Sequence, residues 1–170
     1  MRSNSFKTWS LTLALLLSPS FLEAAPDDWA DKNGRQRSYL EEQVKAGDKN
    51  AQDKLNYAAR HGLFDFTPES GRAYLEAQAK AGNKDAQEEL NVAACSGMLG
   101  FTPESGLAYL EVQVKAGNNA AQDKLIFAAA YCKLGFTPES GRAYLEAQAK
   151  AGNYYADYYL TLVHSQMKKQ

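Results

Sequence analysis

Histidine and cysteine are scarce in this chain, two of each among 170 residues. His61 and His164 lie at opposite ends of the sequence, so neither a shared metal site nor a shared acid–base role is expected of them. The chain contains no H-E-x-x-H, C-x-x-C, G-x-S-x-G or phosphate-loop motif, and the reading is of a non-enzyme without metal or cofactor. An excess of charge of one sign is also missing: 19 Lys and Arg face 20 Asp and Glu, for a net charge of −1. Without a basic field there is nothing to hold nucleic acid, and without a basic amphipathic helix nothing to hold a membrane surface. Long apolar runs are lacking after residue 25, which excludes a stable span in residues 26–170.

The first 25 residues read differently. Arg2 and Lys7 precede an apolar, leucine-rich run from Trp9 to Leu17, Ser18-Pro19-Ser20 breaks it, and Ala24-Ala25 offers small residues for cleavage. This is the layout of a secretory signal peptide over 1–25, and it predicts a periplasmic or secreted protein whose mature domain is 26–170. In an exported chain an even number of cysteines is commonly paired. Cys95 and Cys132 are therefore expected to form a disulfide between neighbouring repeats, two free buried thiols being the alternative.

What the sequence has in abundance is itself. The string Y-L-E-x-Q-x-K-A-G begins at Tyr39, Tyr74, Tyr109 and Tyr144, 35 residues apart, and closes at Gly47, Gly82, Gly117 and Gly152. A fixed period of that size marks stacked supersecondary units rather than one closed globule, with copies at about 35–69, 70–104, 105–139 and 140–170. Thr-Pro-Glu-Ser-Gly opens the later copies at Thr67, Thr102 and Thr137 with an N-cap, a proline for the first turn and an acid for the positive helix end. The first helix is expected to run through Tyr74, Ala77 and Ala81 and to stop at Gly82, with Asn83 capping a second helix. That second helix carries Ala86, Leu90, Ala93 and Ala94, an apolar stripe repeated at Ala51, Leu55, Ala58, Ala59 and at Ala121, Leu125, Ala128, Ala129. Glu41–Lys45, Glu76–Lys80, Glu111–Lys115 and Glu146–Lys150 are spaced for i, i+4 ion pairs on a solvated face.

With the tyrosine and Ala-Gly close of the first helix, A-x-x-x-L-x-x-A in the second, and glycine-bearing loops such as Gly97-Met98-Leu99-Gly100, the chain resembles the Sel1-like repeat family, relatives of tetratricopeptide repeats. The resemblance covers about Arg35 to the end. It implies an all-α fold, a right-handed α-solenoid of four helix–turn–helix repeats, that binds another protein. Exported members of the family include immunity proteins that neutralise lipase-type toxins, and the small exported format points first to that job. An envelope adaptor or host-interaction factor is the alternative. A β-lactamase-like or penicillin-binding enzyme comes third, since Ser165-Gln166-Met167-Lys168 has S-x-x-K spacing but lacks the companion motifs.

Copies are most informative where they disagree. Tyr154, Tyr155, Tyr158 and Tyr159 stand where the second copy has Lys84, Asp85, Glu88 and Glu89. A tyrosine cluster at normally charged positions is read either as a partner-binding surface or as a cap on the end of the array. The other candidate contact is Arg37, Arg72 and Arg142, one register of the first helices, broken by Leu107 and expected on the concave side.

Overall fold

The computed structural model describes residues 27–167, with side chains described from 34 to 162. The segment read as a signal peptide, together with His164 and the Ser165–Lys168 string, lies outside what is described at side-chain level. Eight helices follow one another, and no strand occurs among the described residues: α1 Asp27–Lys45, α2 Lys49–His61, α3 Pro68–Lys80, α4 Lys84–Ser96, α5 Pro103–Lys115, α6 Asn119–Ala130, α7 Pro138–Lys150 and α8 Tyr154–Met167. Each pairs with the next, and the pairs stack in sequence order. The architecture is an all-helical array consistent with an α-solenoid.

Local chemistry sets the helix ends. Thr67 caps α3 by accepting from the Ser70 backbone N–H at 3.2 Å, and the Ser70 hydroxyl accepts from the Thr67 N–H at 2.9 Å. Thr102 with Ser105 and Thr137 with Ser140 repeat this reciprocal box, so the serine of Thr-Pro-Glu-Ser-Gly has a capping task that the sequence pattern did not reveal. The second helices are capped by Asp48, Asn83 and Asn118. At the far end of α3, Gly82 N–H donates to Ala79 O and Asn83 N–H to Gln78 O, both at 3.0 Å, the paired bonds of a Schellman stop.

The core is leucine and alanine. Leu55, Leu75, Leu90, Leu110 and Leu145 are at most 1% exposed, and the second-helix stripe is buried throughout. Ala77 and Ala81 are exposed; Gly71 and Leu75 are the buried positions of α3, with Tyr74 half-buried. The first helices seat closely on the helices before them. The glycine of Thr-Pro-Glu-Ser-Gly explains the tight seat. A Cβ on Gly71, Gly106 or Gly141 would lie 2.2–2.3 Å from the carbonyl oxygen of Ala59, Ala94 or Ala129 on the preceding helix. Backbone meets backbone there, and only glycine fits.

The stacking is asymmetric. α2 packs on α4, α4 on α6 and α6 on α8, whereas among the described residues no first helix touches another first helix. Alanines on the second helices let their axes come close. The arginine register lies on the layer of first helices, in α1, α3 and α7.

Candidate partner-binding surface

The arginines are occupied by the scaffold. Arg37 lies over the Phe66 ring at 4.0 Å and Arg72 over Phe101 at 4.0 Å. Each also pairs with the glutamate one turn on: Arg37–Glu41 at 2.8 Å, Arg72–Glu76 and Arg142–Glu146 at 2.9 Å. The ion pairs given by these glutamates thus run back to arginine rather than forward to Lys45, Lys80 and Lys150. The flat guanidinium can meet a ring face and a carboxylate at once, and an ammonium on a flexible stem does so less well. Leu107 keeps the register in the third pair, where both it and Phe136 pack on the core, so the arginine-to-leucine break is a change of packing partner.

The recurring tyrosines serve the stack as well. Gln52 Nε2 donates to the Tyr74 hydroxyl at 2.8 Å, Gln87 to Tyr109 at 2.8 Å and Gln122 to Tyr144 at 2.9 Å, each bond joining a second helix to the first helix that follows it. Burial pushes all three phenols above their ordinary pKa, against the opposing effect of the glutamine bond. Phe66, Phe101 and Phe136 lie against the same tyrosines at 5.3–5.5 Å between ring centroids. Tyr39 stands before the first such step and is 61% exposed. Sequence reasoning also missed Asn56 and Asn91, buried amides beside this ladder that accept from Gln52 and Gln87. Their recurrence at a 35-residue interval, with Ile126 in the third copy, was the available signal.

The four C-terminal tyrosines are different. Tyr154, Tyr155 and Tyr158 are 75%, 55% and 53% exposed. Tyr159 is half-buried, meets Tyr131 edge-on at 5.9 Å and packs beside Ala156 and Leu145. One of the four therefore covers core, and three face water. Tyr155 and Tyr159 also line a cleft of about 390 Å³ on the second-helix layer, with Val92, Cys95, Asp123 and Phe127 among its other walls.

The cysteines are not bridged. Cys95 is buried and its thiol donates to Lys124 O at 3.8 Å, while Cys132 is exposed in the turn after α6. The disulfide expected between them is absent from this structure because the first thiol is packed against α6 and the second sits in the solvent-facing turn. Burial raises the Cys95 pKa. Cys132 has φ +52° where Gly62 and Gly97 occupy the same register, so a side chain replaces glycine in the left-handed region. His61 is exposed, its ring 4.1 Å from that of Tyr57.

The fold and this surface define a class, an all-helical array of packed pairs with one aromatic end. No family model, characterised protein or solved structure matches the chain.

Proposed function

We propose that this chain is a non-catalytic protein-binding member of the Sel1-like repeat family. In this reading it is a right-handed solenoid of four 35-residue repeats following a signal peptide. It acts in the periplasm or outside the cell, as an immunity protein that neutralises a secreted toxin. The observation that carries the binding function is the tyrosine surface of α8, with Tyr154, Tyr155 and Tyr158 all more than half exposed. Tyrosine supplies large contact area at low entropic cost, and three such rings on one helix exceed what scattered surface residues require. The family and the toxin rest on the sequence pattern; the binding surface rests on exposure.

The test is affinity capture from cell-envelope extract, run with the chain and with a Tyr154→Ser, Tyr155→Ser, Tyr158→Ser variant of equal helicity. A protein retained by the first and lost by the second is the expected result, and a captured toxin should lose its activity on adding the chain. Equal capture by both chains rejects the surface.

A further inference from the structure

The cleft between α4, α6 and α8 has an internal precedent. One pair earlier along the second-helix layer the same register is closed by cations of the chain itself. Arg60 reaches from α2 to Glu89 on α4 at 2.6 Å, with side chains 17% and 23% exposed. Beside it Glu88 on α4 binds Lys124 on α6 at 2.8 Å. The Arg60 guanidinium also stands 5.8 Å from the Tyr57 ring centroid.

Thirty-five residues on, each part of that arrangement changes. Cys95 takes the place of Arg60, Asp123 that of Glu88, Lys124 that of Glu89, and Tyr159 that of Lys124. One acid is kept, the other gives way to a lysine, and neither original cation has a cationic counterpart. Cys95, Asp123 and Tyr159 are all walls of the open cleft, joined by Phe127 and Tyr155. Among the described residues Asp123 has no ion pair. Partial burial is the largest influence on its carboxyl and raises its pKa, and the opposing pull of Lys124 is countered by Glu88. Lys124 lines the cleft on the register of Glu89, but its ammonium is held by Glu88. Lys133, another nearby cation among the described residues, is exposed and lies over the Phe127 ring at 5.2 Å.

We infer that this cleft receives an arginine side chain of the protein partner, its guanidinium on the Asp123 carboxylate and its plane against Tyr155, Tyr159 and Phe127. Asp123 keeps the acid of Glu88, which one pair earlier binds Lys124, while Tyr159 stands in that lysine's place, and a guanidinium suits a site made of ring faces and a single carboxylate. The inference rests on the protein-binding reading and names the chemistry of the contact.

The probe is N-acetyl-arginine amide, titrated into the isotope-labelled full chain and followed by amide chemical shifts. Saturable shifts confined to residues 92–96, 123–127 and 155–159 are expected. N-acetyl-citrulline amide, which keeps the shape and loses the charge, should bind about tenfold more weakly, as should arginine amide to Asp123→Asn. Cys95→Arg, which restores the side chain of the preceding register, should abolish the response; Asp123→Asn, a surface change, keeps the test valid if that variant does not fold. Absence of localised shifts overturns the inference, as does equal binding of citrulline or indifference to Asp123→Asn. If those shifts fail while the tyrosine-to-serine variant still loses its captured partner, the cleft inference falls and the binding function stands. If the shifts appear while a Tyr154→Ser, Tyr158→Ser variant, which keeps Tyr155, captures normally, the cleft inference holds and the exposed α8 surface falls.

Discussion

Two stretches of the second-helix layer use one backbone frame in opposite ways. From α2 to α4 a charged pair, Arg60 with Glu89, fills the space between neighbouring helices. From α6 to α8 the corresponding places hold Ala130 and Tyr159, and the helices meet through the edge-on contact of Tyr131 with Tyr159. The N-terminal stretch is closed by its own side chains. The C-terminal one leaves an aromatic surface and a cleft with a lone acid. A stacked array permits this division because each interface depends chiefly on its immediate neighbours. One end can give up tight closure while the other keeps the stack together.

The comparison breaks most sharply if the scaffold is attacked where both stretches are alike. Gly106→Ala places a methyl 2.3 Å from Ala94 O, against backbone that cannot yield cheaply. It should cost about 3 kcal/mol or more in urea unfolding. Gly82→Ala meets open space and carries only the left-handed backbone penalty at φ +90°, about 1 kcal/mol. Equal losses for the two would remove the close-approach account.

Next in size are the buried tyrosines. Tyr109→Phe removes the acceptor of the Gln87 amide and should cost about 1 kcal/mol, while Tyr39→Phe at the exposed end should be neutral. The same phenols set a pH dependence. Their folded pKa values are raised, so the folded chain binds more protons than the unfolded one above the ordinary phenol range. Stability is fully present below pH of about 10 and should fall as pH rises beyond it, measurable as a shift in the urea midpoint. The Tyr109→Phe chain should show a shallower fall.

Cys132→Gly should have an effect of the opposite sign. It relieves the left-handed strain at φ +52° but loosens the unfolded chain, for a net gain of up to about 1 kcal/mol. The smallest stability change belongs to Tyr154→Ser, Tyr155→Ser, Tyr158→Ser, within about 0.5 kcal/mol, since these rings cover little of the core. A large destabilisation there would turn the tyrosines into a cap and erase the contrast between the two stretches.

Much of this was legible beforehand, and for local reasons. The alanine–leucine stripe, the threonine caps and the Gly82 stop depend on residues within a turn or two of each other. The exposure of Tyr154, Tyr155 and Tyr158 could be inferred because their counterparts in the second copy are charged. The illegible parts are contacts across pairs. Glu76 has Arg72 and Lys80 equally near in sequence, and the Phe101 ring that also holds Arg72 lies in a distant loop. The Gln87–Tyr109 bond spans 22 residues. Whether Cys95 and Cys132 meet depended on which way each thiol turned, and spacing carries no such information.

The sequence by itself determined the helices, their ends, the residues of the second-helix stripe and the 35-residue recurrence, because capping, periodicity and small-residue patterning act over a few bonds. Only the tertiary structure decided that the second helices stack on one another, why glycine is required at 71, 106 and 141, what the arginines hold, and that a cleft opens beside Asp123. Those outcomes depend on the distance between helices that share no local sequence, and that distance is set by the packing of the whole stack.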